Sequence, residues 1–163
     1  MLLAPARAPG GGPMSSLARF GAYAAAFEKA YATNDWSVLE PFFTEDAVYE
    51  VGLGPPLGGR FEGRAAILRY FERVVDGFDR RFASRAVALL EPPRENGASV
   101  WIRGSATYRG PGVPDFVLEL EESAEFEGDR IRRLEDRYEP AMARALDRYL
   151  AAHGPKLGLA SSL

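Results

Sequence analysis

The segment from Asp115 to Tyr138 reads DFVLELEESAEFEGDRIRRLEDRY, and its pattern decides the fold of the chain. Apolar and polar residues alternate with a period of two on both sides of Gly128-Asp129, which predicts two antiparallel strands joined by a tight turn. The side chains expected to face inward from the first strand are Phe116, Leu118, Leu120, Ala124 and Phe126. The opposite face carries mostly glutamates, so one side of this hairpin faces a core and the other faces water.

Two carboxylates interrupt the apolar face of the hairpin. Glu122 falls in the inward set of the first strand, and Asp136 falls between Leu134 and Tyr138 on the second. A buried acid is costly unless it is protonated, paired or solvated, so the pattern predicts acids with raised pKa values converging in a cavity, where they suit acid/base chemistry. Two structural alternatives stay open: a β-bulge that turns Glu122 outward, and an ion pair that gives either acid a purely structural role.

Arg103 is the cation most relevant to these acids. It lies in VWIRGSATY (residues 100–108), where alternation is ambiguous because both sets of alternate residues contain apolar members. If Trp101, Arg103 and Ser105 face inward, Arg103 is a buried cation and Asp136 is its natural partner. In the other register Arg103 is an exposed arginine on a sheet face.

The first half of the chain is helical, and strands follow it. Aromatic and apolar residues at helical spacing from residue 17 to 31 predict one helix, Asp35 caps a short second helix, and Ala66 opens the face of a third. AVYEV (47–51) predicts a strand and GLGPPLGG (52–59) a turn-rich loop. Four more strands, beginning with residues 82–90, lead to Pro140, the expected first residue of a closing helix. This order predicts an α+β fold with helices on one face of a curved sheet.

Composition excludes several classes of function. The chain has 163 residues, no cysteine, one histidine and a net charge of -3. Thiol catalysis, thiolate metal sites and nucleic-acid binding driven by charge are therefore not expected, nor is a membrane span. We expect no metal, no cofactor and a cytoplasmic location. Residues 1–14 are interpreted as a flexible leader, with Met14 as an alternative start, residues 15–153 as one domain, and residues 154–163 as a flexible tail.

The residues from Phe27 to Phe71, FEKAYATNDWSVLEPFFTEDAVYEVGLGPPLGGRFEGRAAILRYF, resemble the opening of the nuclear transport factor 2-like superfamily, and most of all its SnoaL-like branch. The motifs DRI (129–131) and EDRYEP (135–140) fit the same pattern. The resemblance implies a cone: a strongly curved mixed or antiparallel sheet packed on three N-terminal helices, with a C-terminal helix and one enclosed apolar cavity. It also implies a homodimer that pairs through the sheet.

The resemblance carries over only part of each known catalytic set. Limonene epoxide hydrolases of this superfamily match at Tyr49, Arg103 and Asp136, but Val51 stands where their asparagine belongs and Ser105 replaces a central acid.

Ketosteroid isomerases of the same superfamily place their base at Val51, their oxyanion tyrosine at Phe27 and their protonated acid near Glu122. Scytalone-type dehydratases need two histidines, which this chain lacks.

Two functions follow as hypotheses. The first is cofactor-independent acid/base catalysis on a small apolar organic molecule, by isomerisation, cyclisation or epoxide/water chemistry. Its expected catalytic residues are Asp136 as the base or water-orienting group, Arg103, which holds Asp136 ionised and polarises a substrate oxygen, and Glu122 and Tyr49 as hydrogen-bond donors. The expected substrate-binding residues are Tyr23, Phe27, Trp36, Val51, Trp101, Ser105 and Tyr138. The second hypothesis is a noncatalytic module that binds an apolar ligand, or a dimeric interaction module.

Overall fold

A computed structural model describes residues 14–159, and these residues form the predicted α+β fold. The helices are α1 (Ser16–Thr33), α2 (Arg64–Gly77) and α3 (Pro140–His153), with 3-10 segments at Trp36–Phe42, Asp79–Arg81 and Gly154–Leu157. The strands are β1 (Phe43–Val51), β2 (Gly59–Glu62), β3 (Ser84–Leu89), β4 (Arg94–Asn96), β5 (Ser99–Arg109), β6 (Phe116–Glu127) and β7 (Arg130–Arg137). The three N-terminal helical segments and the C-terminal helix are where the sequence predicts them.

The seven strands form one mixed sheet in the order β2-β1-β7-β6-β5-β3, and β4 pairs with the far end of β5. All pairs are antiparallel except β1 and β7, which run parallel. Short hairpin connections explain the antiparallel pairs. The parallel pair joins the two ends of the domain, since β1 lies near the start of the described chain and β7 near its end.

The helices cover the concave side of this sheet through an aromatic core. Ser15 caps α1 by accepting a hydrogen bond from the Ala18 amide at 3.1 Å, and Asn34 ends it in a left-handed conformation. From α1, Phe27 meets Phe71 of α2 edge to face, with ring centroids 5.2 Å apart. Within residues 14–159, no helix has the length and apolar character needed to cross a membrane.

The two faces of the sheet differ in burial. Along β6 the residues that we expected inward are buried, and they alternate with exposed or half-buried ones. The pairing of β6 with β7 shifts register only between Glu125 and Phe126, so no bulge turns Glu122 outward. Glu122 lies directly opposite Asp136, and Asp136 lies beside Val51 of β1. The two acids therefore occupy one row across three neighbouring strands.

Some element boundaries and one end of the chain differ from the prediction. The first strand begins at Phe43 rather than Ala47, and β3 begins at Ser84 because a 3-10 turn at Asp79–Arg81 precedes it. The first part of the predicted tail is packed rather than loose: Leu157 and Leu159 are buried, because the 3-10 turn folds them back onto the core. The predicted leader lies outside the described residues except for Met14, as do residues 160–163.

Candidate functional site

The concave side of the sheet and α2 line a partly open cavity that is mostly apolar. Its volume is about 70 Å³, about half of the ~150 Å³ apolar cavity that accommodates benzene in an engineered protein. Aliphatic and phenylalanine side chains make most of its wall. Polar groups enter it at a few positions, and the residues that supply them are Tyr49, Tyr70, Asp79, Arg85, Tyr108, Asp136 and Tyr138.

Asp136 is the predicted acid that reaches the cavity. Its side chain is 3% exposed, and Oδ2 accepts a hydrogen bond from the Tyr49 hydroxyl at 2.6 Å. Oδ1 is buried and has no hydrogen-bond partner among the residues that the structure describes. Burial raises the pKa of Asp136, while the hydrogen bond from Tyr49 acts in the opposite direction. Burial and the charge of Asp136 also raise the pKa of Tyr49, so Tyr49 keeps its proton and remains the donor.

Glu122 and Tyr23 lie behind Asp136 rather than on the cavity wall. Glu122 is 1% exposed and faces Asp136 across the β6–β7 pair, where two like charges would repel each other. Tyr23 on α1 is fully buried, and its hydroxyl makes no hydrogen bond within the described part of the chain. Burial raises the pKa of Tyr23, and the charges of Glu122 and Asp136 raise it further. The sequence therefore places both acids correctly, but only one of them touches the cavity.

A second polar cluster lines the cavity, and the sequence analysis missed it. Asp79 Oδ1 accepts a hydrogen bond from the Tyr108 hydroxyl at 3.0 Å and lies 3.7 Å from Arg85 Nε. Arg85 also donates to Glu28 Oε1 at 2.8 Å. Burial raises the pKa of Asp79, and the Arg85 charge and the Tyr108 hydrogen bond limit the rise. One signal was available: Arg85 alternates with Val87 and Leu89 in SRAVAL, which puts a cation on the inner face of β3.

The GLGPPLGG loop is part of the cavity wall. Leu53 and Leu57 line the cavity, and the Tyr70 hydroxyl donates to the Leu57 carbonyl at 2.6 Å. The loop starts with a hydrogen bond from the Gly52 amide to the Asp136 carbonyl at 2.8 Å. A proline-rich loop is thereby tied at one end to the strand that carries the central acid.

The structure decides between our two alternatives for β5. The one that turned Trp101, Arg103 and Ser105 toward the cavity is wrong. The Val100 set faces inward, because Ile102 pairs with Glu122 on the same inner row. The Arg103 side chain is 43% exposed, and it lies 3.4 Å from Glu119 and 3.9 Å from Glu91. The expected ion pair with Asp136 is therefore not formed.

The other predicted binding residues divide into two groups. Phe27 and Tyr138 line the cavity. Trp36 is buried but packs in the aromatic core, with its ring stacked on Phe71 at 6.1 Å. Val51 is buried beside Asp136 without reaching the wall. Tyr138 also borders an outer cleft that Arg103 helps to line, so it separates the cavity from the convex side of the sheet.

The cavity thus offers carboxylates, hydroxyls and one guanidinium in a largely apolar setting. Within residues 14–159, no group of three or more histidine, cysteine, aspartate or glutamate side chains is arranged to hold a metal ion. The arrangement suits proton transfer and hydrogen bonding to a small organic molecule.

Solved structures with the same fold include proteins that bind small organic molecules. A putative polyketide cyclase from Sinorhizobium meliloti is 27% identical with a TM-score of 0.51, over 71% of this chain and 94% of that one. A protein of ketosteroid isomerase-like fold from Catenulispora acidiphila, in complex with trimethylamine, is 18% identical with a TM-score of 0.56 over 76% and 89%. TerC, co-crystallised with polyporic acid, is 17% identical with a TM-score of 0.60 over 79% and 95%.

No curated protein matches the sequence. The family model of the SnoaL-like domain does match it, over residues 23–134. That range is more than half of the chain and includes Tyr49, Arg85 and Glu122. The match confirms the predicted family: the chain belongs to the SnoaL-like domain family, and its cone-shaped fold is the one that the resemblance to nuclear transport factor 2-like proteins implies.

Proposed function

We propose that this protein catalyses proton transfer at a carbon next to a carbonyl group of a small organic molecule, without a cofactor. The observation that carries the proposal is the state of Asp136: one carboxylate oxygen is held by Tyr49, and the other is buried at the cavity without a hydrogen-bond partner among the described residues. A carboxylate oxygen in that setting is positioned and poorly solvated, which are the properties that a general base needs.

The proposed reaction begins when Asp136 Oδ1 takes the proton from the carbon. The electron pair of the C–H bond then forms a C=C bond, and the π electrons of the carbonyl move onto its oxygen. Tyr138 lies on the same cavity wall, and burial raises its pKa, so its hydroxyl is available as a donor to the enolate oxygen. Where a C=C bond of the substrate is conjugated with the enolate, return of the proton from Asp136 to the far carbon of that bond gives an isomer. Attack of the enolate carbon on a second carbonyl of the same molecule forms a C–C bond and closes a ring, and the resulting alkoxide takes the proton back from Asp136.

Glu122 acts as a positioning residue in this proposal. It faces Asp136 but does not line the cavity, so it influences the base through charge and does not contact the substrate. Arg103 has no part, since it lies on the convex face. The raised pKa of Asp136 also gives the reaction a pH dependence: activity increases as the pH rises through that value, because only the ionised acid accepts a proton.

The test is deuterium exchange at the α-carbon of acetone and 2-butanone in D₂O, followed by proton NMR. We chose these ketones because the cavity is small. We expect exchange well above the buffer rate, and a loss of about 10²-fold to 10⁴-fold in Asp136→Asn. Glu135→Gln is the matched control, because Glu135 is the neighbouring acid on the opposite face of β7 and pairs with Arg137 at 2.8 Å. Equal rates in Asp136→Asn and the unmodified protein would contradict the proposal.

A noncatalytic apolar-ligand-binding module is the second candidate. It is favoured by Val51, an apolar residue beside Asp136 at the position where the resemblance places a base. In that case no ketone exchanges above the buffer rate, and Glu122→Gln leaves ligand affinity unchanged. The predicted homodimer stays a prediction, and sedimentation velocity tests it.

A further inference from the structure

The cavity has a second polar end that the proposed proton transfer does not use. Asp79 follows α2, while Arg85 and Tyr108 lie on the paired strands β3 and β5, where they are direct register partners. All three side chains line the same cavity as Asp136. An anion and a cation are thus presented side by side, at positions far in sequence from the proposed base.

This cluster is buried and makes several contacts. The Arg85 side chain is 5% exposed and the Asp79 side chain 12%. The Arg85 guanidinium lies 4.3 Å from the centre of the Tyr31 ring and donates to Glu28 from its outer side. Burying such an ion pair gives a protein little stability compared with apolar residues of the same volume, so its placement on a cavity wall points to binding.

We propose that Asp79 and Arg85 together bind a hydroxyl group of the substrate, so that the substrate is a small neutral hydroxy ketone. This inference rests on the proposed function for the carbonyl end of the molecule. A hydroxyl can donate its proton to the Asp79 carboxylate and accept a hydrogen bond from the Arg85 guanidinium at the same time. A carboxylate group would meet a net charge of -1 from Asp79, Glu28 and Arg85. An ammonium group has no lone pair with which to accept a hydrogen bond from Arg85, so only a neutral group that both donates and accepts can use both partners.

The experiment compares ligands first and variants second. The probes are 2-butanone, hydroxyacetone, which has the same number of heavy atoms, and 4-hydroxy-2-butanone, with 4-amino-2-butanone and acetoacetate as the charged counterparts. Affinity is measured by amide NMR titration, both in the unmodified protein and in Asp136→Asn, which cannot carry out the proposed exchange. We expect at least one hydroxy ketone to bind about tenfold more tightly than 2-butanone and than either charged probe.

The variants then locate the effect. The ratio of hydroxy ketone to 2-butanone affinity should fall to about one in Asp79→Asn and in Arg85→Gln. It should stay unchanged in Asp76→Asn, the matched control, because Asp76 is an exposed acid of α2 that pairs with Arg80 at 2.8 Å. Tyr108→Phe keeps both charges and removes only the hydroxyl that donates to Asp79, so we expect a partial loss of the hydroxyl preference. This variant tests the site if Asp79→Asn and Arg85→Gln do not fold.

The outcomes separate the two proposals. A hydroxyl preference in Asp136→Asn, together with no ketone exchange by the unmodified protein, supports the hydroxyl site and contradicts the proposed function. Exchange without any hydroxyl preference overturns the hydroxyl site and leaves the base in place. Tighter binding of acetoacetate or of the amine than of every hydroxy ketone also overturns the hydroxyl site, because it shows that charge governs binding at this end.

Discussion

Glu121 and Glu122 are neighbours in the chain, yet they lie on opposite faces of β6 in different chemical settings. On the convex face, Glu121 accepts a hydrogen bond from the Trp101 indole at 3.3 Å, and nearby glutamates pair with arginines such as Arg103. On the concave face, Glu122 faces Asp136, whose partner is a tyrosine rather than a cation. The face of the strand therefore decides whether an acid is a partly exposed ion-pair partner or a buried group beside the core.

The largest expected change in stability comes from the GLGPPLGG loop, where a buried glycine can be compared with an exposed one. A methyl group at Gly58 would lie 1.9 Å from the Leu53 carbonyl oxygen, whereas one at Gly54 would meet nothing within 4 Å. We expect Gly58→Ala to lower the free energy of unfolding by about 2–3 kcal/mol, because the loop must shift, and Gly54→Ala to change it by less than about 0.5 kcal/mol. Urea unfolding measures both. Equal effects would mean that the loop is not packed as described.

Two buried tyrosines provide the next contrast. Tyr49→Phe removes the hydrogen bond to Asp136, which leaves a buried acid less well satisfied and costs about 1–2 kcal/mol. Tyr23→Phe removes a hydroxyl with no hydrogen bond among the described residues, so its cost should stay below about 0.5 kcal/mol. The hydrogen bond from Tyr49 lowers the pKa of Asp136. Its removal in Tyr49→Phe should therefore raise that pKa and move the pH profile of ketone exchange to higher pH. A profile that does not move would show that Tyr49 does not tune the base.

The sequence predicts the inner face of the β6–β7 hairpin well, because a period of two and a tight turn fix which residues face the core. It cannot decide the face of β5, since Trp101 and Val100 are both credible core residues. That choice is made by pairing, which places Ile102 opposite Glu122.

The second polar end of the cavity was harder to predict for a related reason. Asp79 lies in a turn, where no periodicity applies, and it reaches Tyr108 only through the folded sheet. The parallel pairing of β1 with β7 likewise joins residues such as Val51 and Asp136 that no local signal connects. Local alternation therefore predicts single faces, while the composition of the cavity depends on long-range pairing.

The pH dependence of stability offers a third contrast, between Asp136 and Glu135. Burial raises the pKa of Asp136 in the folded state. Between the usual carboxyl pKa of about 4 and this raised value, the folded protein therefore binds more protons than the unfolded chain. The stability associated with Asp136 is thus full below that range and is lost as the pH rises through the raised value. We expect Asp136→Asn to be more stable than the unmodified protein at neutral pH, by on the order of 1 kcal/mol.

That advantage should shrink toward acidic pH, because the carboxyl is then neutral in both states. Glu135→Gln is the control for removing an acid from the other face of β7, where Glu135 pairs with Arg137. Thermal unfolding from acidic to neutral pH measures both variants. A constant difference between Asp136→Asn and the unmodified protein would show that Asp136 titrates alike in the folded and unfolded states.

The smallest expected effect belongs to Arg103, and it tests the comparison of the two faces most directly. Arg103 is half-exposed and paired with Glu119, and exposed ion pairs contribute little to stability. Arg103→Ala should change the free energy of unfolding by less than about 0.5 kcal/mol and leave the pH profile of exchange where it was. A profile displaced toward higher pH would show that the Arg103 charge reaches Asp136 through the sheet. The two faces would then be electrostatically coupled, and an acid's setting could no longer be inferred from its own face alone.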